Sequence, residues 1–214
     1  ITINSGEKVA IIGRIGSGKS TLAKLLIRLY EPTSGSVLMD GFDINQLDPA
    51  DLRHNVAYVA QDAKLYFGTL RDNITFGLNG ITDQQVVDAA EQAGILELVN
   101  SHPLGFEMPV GERGETLSGG QRSAIAMARV FLRKPRVLVM DEPTSAMDQG
   151  TEERLTQQIK TRFSNSTLLI ITHKMSMLTL VDRLIVVDRG VIISDGPKSE
   201  VLAALKEGKI RGKG

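Results

Sequence analysis

The sequence predicts an α/β fold, in which a mostly parallel sheet is flanked by helices and a helical subdomain is inserted into it. Short apolar runs recur along the chain, and most are apolar on successive residues, which is typical of strands buried on both faces. Amphipathic helical patterns separate these runs, and strands that alternate with helices favour a parallel sheet. The alternation stops between residues 62 and 134, where helical patterns dominate.

The predicted strands follow from the apolar runs, each of which is too short for a helix. In chain order the runs are KVAIIG, SVLMDG, VAYVAQ, RVLVMDE, TLLIITH and RLIVVD. After the last run, Asp188, Arg189 and Gly190 separate LIVVD from VIIS, and this spacing predicts a hairpin at the end of the sheet.

The predicted helices follow from apolar spacing and from capping residues. Two helices are predicted by apolar faces formed respectively by Leu22, Leu25, Leu26 and Leu29, and by Leu155, Ile159 and Phe163. In the middle of the chain, Thr82 and Gln85 form a capping box at the start of a third helix. Gly94 stands where that helix is expected to end.

The composition is that of an ordinary globular protein and excludes several classes of function. With 214 residues, the chain is long enough for one large domain or for two small lobes. Lys and Arg (25) balance Asp and Glu (25), so the net charge gives no reason to expect nucleic acid as a partner. A chain without cysteine has no disulfide, thiol nucleophile or cysteine-ligated zinc. No apolar run reaches the roughly eighteen residues that a membrane helix needs.

The stretch GRIGSGKST satisfies the phosphate-loop pattern G-x-x-x-x-G-K-[ST] between a predicted strand and a predicted helix. Its glycines let successive backbone N–H groups face one anion at the N-terminus of the helix. Lys19 then supplies a full positive charge near the phosphates, and Ser20 supplies a hydroxyl for Mg²⁺. The candidate nucleotide-binding residues here are Gly13, Arg14, Ile15, Gly16, Ser17, Gly18, Lys19, Ser20 and Thr21.

Two carboxylates follow the apolar run RVLVM at the carboxyl end of a predicted buried strand. Ligands of open α/β sheets bind at that end. Asp141 is therefore expected to reach Mg²⁺ through its water shell, and Glu142 to orient or deprotonate a water that attacks the γ-phosphate.

A second phosphate-binding surface is predicted at LSGGQ, which leads into a helical run of small residues. The residues concerned are Leu117, Ser118, Gly119, Gly120 and Gln121. A long stretch of chain and the helical subdomain separate this surface from the phosphate loop, so it is expected to contact the nucleotide of a second copy.

With these motifs the sequence resembles the nucleotide-binding domain of ATP-binding cassette (ABC) transporters, and the resemblance covers essentially all 214 residues. It implies a P-loop NTPase core at 1–61 and 135–214, a helical subdomain at 62–134, and a transmembrane domain upstream of this fragment. It also implies ATP and Mg²⁺ as ligands, and a homodimer that closes around two Mg-ATP.

The resemblance assigns the remaining roles by motif. Gln61 in VAYVAQD resembles the Q-loop glutamine, so it is expected as a catalytic and nucleotide-binding residue and, with Ser20 and Asp141, as a metal ligand. Asp148 in SAMD resembles the D-loop aspartate at the nucleotide. His173, at the end of TLLIITH, resembles the switch histidine at the γ-phosphate, although a lone histidine beside an apolar run is more often a packed core residue.

Segments around these motifs resemble those of exporters. GERGE before the LSGGQ motif resembles the exporter loop that crosses between subunits, and YFGTLRDNITFG resembles the surface that receives the coupling helices of the membrane domain. DINQLDPADLR and ITHKMSMLTLVDRLIVVDRG resemble bacterial type I secretion ATPases. This resemblance implies export of a protein or peptide, with an adaptor and an outer-membrane channel as further partners. The chain is then expected at the cytoplasmic face of the inner membrane. The alternatives are a lipid or drug exporter and a non-transport ATPase of DNA repair or translation.

Overall fold

The computed structural model describes residues 1–210. The chain divides into two compact units. The first unit comprises Ile1–Tyr58, Pro135–Glu142 and the chain from Asn165 onward, and the second comprises Val59–Lys134 and Pro143–Ser164. The segment expected as a helical subdomain, 62–134, lies within the second unit, which also contains residues 143–164 and therefore Asp148.

The strands of the described residues are short and lie in three sheets. They are β1 (Lys8–Ile12), β2 (Leu38–Met39), β3 (Phe42–Asp43), β4 (Val56–Val59), β5 (Gly68–Thr69), β6 (Pro109–Val110), β7 (Val137–Asp141), β8 (Thr167–Ile171), β9 (Arg183–Asp188) and β10 (Val191–Pro197). The helices are α1 (Lys19–Leu26), α2 (Pro49–Asn55), α3 (Leu70–Thr75), α4 (Asp83–Gln92), α5 (Leu96–Ser101), α6 (Gly119–Arg133), α7 (Gln149–Arg162) and α8 (Lys198–Lys206).

The first unit is organised by a mostly parallel sheet with the strand order β10-β9-β1-β8-β7-β4. Strand β1 is parallel to both β8 and β9, and β7 is parallel to β8. Strand β10 is antiparallel to β9, which confirms the predicted terminal hairpin. Because the parallel strands point the same way, their carboxyl ends bring the loops after β1, β7 and β8 to one edge of the sheet.

The core of the first unit consists of the apolar residues that the continuous runs predicted. Its buried members come from β1, β7, β8 and β9 and from the helices beside them, for example Val9, Ala23, Val139, Leu169 and Ile185. Helix α1 begins at Lys19 directly after the phosphate loop. It ends at Leu26, one turn earlier than the leucine pattern predicted, because Arg28 adopts a left-handed backbone conformation.

One predicted strand lies elsewhere. The run SVLMDG was expected in the main sheet, but Leu38–Met39 pair with Phe42–Asp43 in a separate antiparallel hairpin. The two residues between them, Asp40 and Gly41, both have positive φ, which is the backbone that a tight two-residue hairpin requires. Asp-Gly is itself a strong hairpin signal, so the local turn chemistry decides this element.

The second unit is mainly helical. Helix α6 packs against α3 and α4, and α4 packs against α5. Thr82 and Gln85 form the predicted capping box at the start of α4, and Gly94 follows its end with φ of 75°. The rings of Phe131 and Phe163 stack with their centroids 5.7 Å apart. Within residues 1–210, no helix is both long enough and apolar enough to cross a membrane.

Candidate functional site

The phosphate loop between β1 and α1 has a backbone that only glycine fits at its start. Gly13 has φ of 153°, and a Cβ atom there would lie 2.0 Å from the carbonyl oxygen of Val187. Gly16 and Gly18 also have positive φ. Glycine adopts this conformation without steric strain, and the loop amides are expected to face an anion.

The side chain of Lys19, the first residue of α1, reaches back into this loop. Its Nζ donates to the carbonyl oxygens of Gly13 at 2.9 Å and of Arg14 at 2.7 Å, and it lies 3.5 Å from Oγ of Ser17. The ammonium group is thus held beside the backbone that is expected to wrap the phosphates. Ile15, at the tip of the loop, is fully exposed.

The β9–β10 turn supports the loop from the far side, which the motif alone did not predict. The N–H of Gly190 donates to the carbonyl oxygen of Ser17 at 2.9 Å. Gly190 has φ of 76°, and the preceding Arg189 has φ of 48°. The hairpin that forms the edge of the sheet therefore also supports the phosphate loop.

Asp141 is the last residue of β7 and is buried. The hydroxyl of Tyr58, on β4, donates to its Oδ2 over a long 3.4 Å. Burial, followed by the neighbouring Asp141 carboxylate, raises the pKa of Tyr58 to about 12, so the phenol stays protonated and remains a donor. A hydroxyl inside the apolar strand VAYV was the signal that sequence reasoning overlooked.

Glu142 and His173 form a pair at the same edge of the sheet. The backbone of Glu142 is left-handed, with φ of 48°, and its N–H donates to the carbonyl oxygen of Ile171 at 2.8 Å. Its Oε1 lies 2.8 Å from Nδ1 of His173. Glu142 is 13% exposed and His173 is 76% exposed at the side chain. His173 is therefore not a packed core residue.

The other carboxylate oxygen of Glu142 is unpaired. Oε2 is buried and has no hydrogen-bond partner among the described residues. An unpartnered buried carboxylate oxygen is costly, and such groups mark places where a missing donor belongs. A water molecule is the simplest donor that fits, because the oxygen lies beside the strand ends at which ligands bind.

The LSGGQ segment starts α6 in the second unit. Oγ of Ser118 accepts from the N–H of Gln121 at 3.2 Å, and Oε1 of Gln121 accepts from the N–H of Ser118 at 2.8 Å. This capping box fixes the start of the helix. Gly119 and Gly120 are required here, because added Cβ atoms would lie 2.9 and 2.8 Å from Ala146. Leu117 is buried.

Asp148 and Gln61 also lie in the second unit. Asp148 caps α7, accepting from the Thr151 hydroxyl at 2.7 Å and from the Thr151 N–H at 2.9 Å. These hydrogen bonds, the hydroxyl first, hold the pKa of Asp148 below its usual value. Gln61 follows β4 and is exposed. The nucleotide contacts of both residues, and the metal contact of Gln61, stay predictions.

Comparisons with known proteins agree with these motifs. The profile of the ABC transporter family matches residues 1–145. The chain is 43% identical over 201 residues to a multidrug efflux ATP-binding/permease protein of Mycobacterium bovis, an alignment that covers 94% of the chain and 17% of that protein. It is 42% identical over 205 residues to mitochondrial ATP-binding cassette sub-family B member 10 of Mus musculus, covering 94% of the chain and 29% of that protein.

A solved structure, that of a bacterial Atm1-family ABC exporter with ATP bound, matches with a TM-score of 0.89. The sequences are 34% identical, and the match covers 97% of this chain and 38% of the exporter chain. The chain thus spans well under half the length of each of these proteins.

Proposed function

We propose, from the premise that this chain belongs to the ABC transporter family, that it is the ATP-hydrolysing domain of a membrane exporter. The observation that carries the proposal is the Glu142–His173 pair with its one open carboxylate oxygen. A group held in place on one side and open on the other is suited to positioning an attacking water.

The chain's residues divide the work of holding the nucleotide. Loop amides and Lys19 hold the phosphates, and Lys19 changes partners from loop carbonyls to phosphate oxygens. Ser20 and Asp141 would hold Mg²⁺, with Gln61 as a third proposed ligand. Mg²⁺, when bound, neutralises charge on the phosphate oxygens during transfer. The polar, buried Asp141 beside the donor Tyr58 suits a hard cation.

Hydrolysis then depends on Glu142 and His173. Glu142 Oε2 accepts a hydrogen bond from the attacking water, and Oε1 stays on His173, which restricts the rotation of the carboxylate. The exposed His173 ring is available to contact the γ-phosphate. The protein contributes mainly positioning and charge stabilisation to a loose phosphoryl transition state.

A second copy of the chain is the proposed partner at the LSGGQ motif. In this arrangement each ATP is held by the phosphate loop of one copy and by Ser118 and the glycines of the other. Hydrolysis removes the phosphate that both copies hold, and the pair reopens. The aromatic segment Tyr66 to Phe76 is proposed to receive the membrane domain, through which the chain is held at the cytoplasmic face of a membrane.

The cargo is proposed to be a small organic molecule, as in drug or lipid exporters. The relative from Mycobacterium bovis is a multidrug efflux protein, and this favours the drug-exporter alternative over type I secretion of a protein. The adaptor and the outer-membrane channel expected for type I secretion have no support.

The test of the ATPase proposal is phosphate release by the chain with and without Mg²⁺. Hydrolysis that needs Mg²⁺ is the expected result, and binding of ATP without any turnover would contradict it. For the cargo, the complete transporter in inverted vesicles is expected to accumulate an organic dye rather than an unfolded polypeptide when ATP is supplied.

A further inference from the structure

The second unit presents exposed aromatic rings around helix α3. We call Tyr66, Phe67 and Phe76 the aromatic surface. Phe67 is 84% exposed, and Tyr66 and Phe76 are each about half exposed. The rings of Tyr66 and Phe76 stack with centroids 4.1 Å apart and an interplanar angle of 12°. Since Tyr66 precedes α3 and Phe76 follows it, this stack joins the two ends of the helix.

A partly buried cation from α6, Arg129, lies beside the stack. The guanidinium carbon of Arg129 is 5.6 Å from the Tyr66 ring centroid and 5.9 Å from that of Phe76. Nη2 donates to Oδ1 of Asn73 at 2.8 Å, and Nε donates to the backbone carbonyl of the same residue. Nη1 donates to the carbonyl oxygen of Lys64 at 3.4 Å. One side chain thus contacts the segment before α3, the helix itself and the residue after it.

Asn73 completes this connection. Its Oδ1 also accepts from the N–H of Tyr66 at 2.8 Å, and its Nδ2 donates to the carbonyl oxygens of Tyr66 at 2.9 Å and Thr69 at 3.0 Å. Both amide hydrogens and both lone-pair directions of the buried side chain are therefore in use. A fully satisfied polar network of this kind specifies one local arrangement.

Removing the charged guanidinium of Arg129 from water lowers the stability of this arrangement. In the part of the chain that the structure describes, its hydrogen bonds go to carbonyl and amide oxygens, and no carboxylate pairs with it. Burial lowers its pKa, because the charged form loses hydration. An apolar side chain of similar volume would avoid this cost, so the residue is better explained by the geometry that it imposes than by stability.

Arg129 shares its helix with the LSGGQ motif. Helix α6 starts after Ser118, and Arg129 lies about 15 Å along the same axis at 1.5 Å per residue. A regular helix transmits a displacement of its N-terminus along its length, so the two ends of this segment move together.

We propose that Arg129 is a positioning residue that fixes the aromatic surface to the LSGGQ helix, so that a shift of Ser118 towards nucleotide is passed to the surface. The inference rests on the proposed function, in which Ser118 meets the ATP of a second copy and the aromatic surface meets the membrane domain. The contacts of Arg129 themselves do not depend on that function.

The first test is amide hydrogen exchange of the chain carrying Arg129→Lys, with Arg133→Lys, one turn further along α6, as the matched control. Lysine keeps the charge but cannot hold both oxygens of Asn73 while facing two rings. Exchange in residues 64–76 is expected to rise about tenfold or more in Arg129→Lys, with little change in α4 or the phosphate loop. Unchanged exchange at 64–76, or an equal rise throughout the second unit, would overturn the proposal.

If Arg129→Lys does not fold, Asn73→Ser is the second variant. It removes the hydrogen bond between Arg129 Nη2 and Asn73 Oδ1 from the Asn73 side, and exchange in residues 64–76 is again expected to rise. In the complete transporter, Arg129→Lys is expected to lower ATP-driven transport several-fold more than ATP hydrolysis. Equal losses of transport and hydrolysis would overturn the connection. Failure of the unmodified chain to bind ATP would instead contradict the proposed function and leave the exchange result intact.

Discussion

The candidate-site residues of the two units differ in how their polar groups are paired. In the first unit, Glu142 keeps one buried oxygen without a partner, and Glu142 and Gly13 hold backbone conformations that side chains disfavour. In the second unit, Ser118 and Asp148 use their side chains to close the starts of their own helices. At these site residues, the first unit leaves a buried carboxylate oxygen unpaired, whereas the second uses the side chains as helix caps.

This difference separates residues that can bind a ligand from residues that fix the shape of a surface. An unpaired buried polar group lowers stability but can bind a ligand. Such a group is therefore expected where a ligand supplies the missing hydrogen bond. Capped helix starts cost nothing to keep and give a surface one fixed shape. Substitution of the unpaired site residues of the first unit should therefore change chemistry, and substitution of the capping residues of the second should change stability and association.

The largest effect is expected for Glu142→Gln, which tests the open oxygen. Glutamine keeps the shape but loses the basicity of the carboxylate, so ATP hydrolysis should fall about 10²- to 10⁴-fold while ATP binding survives. ATP then outlasts association, and the closed pair should accumulate on a sizing column with Mg-ATP but not with ADP.

Glu7→Gln is the control for that substitution. Glu7 is in the same unit, but its two oxygens are already held by Asn4 and Arg183. It should lose stability rather than rate. Hydrolysis by Glu142→Gln at the unmodified rate would move the water-activating role elsewhere, with His173 as the first candidate.

Lys19→Ala should have the next largest effect. Hydrogen bonds to charged groups contribute about 1.5–3 kcal/mol, so ATP affinity should fall about 10- to 150-fold. Folding should change little, since the ammonium contacts only loop oxygens. Calorimetric titration measures the affinity, and Lys24→Ala on the same helix should leave it unchanged. Equal losses for the two lysines would remove Lys19 from the site.

Ser118→Ala tests a capping residue of the second unit. Loss of the cap should lower the free energy of unfolding by about 1 kcal/mol, measured by urea titration. Thr82→Ala removes the equivalent cap of α4 and should cost the same. Only Ser118→Ala should also weaken ATP-dependent association of two copies. If both variants associate equally well, the Ser118 hydroxyl is purely structural.

The smallest effect is expected from Asp148→Asn in acid. Because hydrogen bonds lower the folded-state pKa of Asp148, its contribution to stability is present above its unfolded pKa of about 3.9 and is lost as the pH falls through the folded value. Asparagine keeps an acceptor but does not titrate. The difference between urea midpoints at pH 7 and pH 3 should shrink in the variant. An unchanged difference would show that Asp148 contributes nothing to acid unfolding.

Much of the site could be predicted from local sequence. The phosphate loop, the carboxylates after β7 and the capping boxes at Thr82 and Ser118 are determined by residues within a few positions of one another. The strand predicted at SVLMDG was misplaced, because its apolar run was weighed above the Asp-Gly turn that follows it. The expected type I secretion was also too specific, since the relatives that this chain matches include a multidrug efflux protein.

The sequence by itself thus determined the phosphate loop, the order of strands and helices along the chain, and the residue types at the sheet edge. Tertiary structure decided the pairings: Glu142 with His173, Tyr58 with Asp141, Gly190 with Ser17, and Arg129 with Asn73. The physical reason is that backbone conformation and capping depend on neighbours in the chain, whereas these contacts depend on how distant segments pack. Only the packed order, which puts β1 between β9 and β8 and α6 against α3, brings such partners within bonding distance.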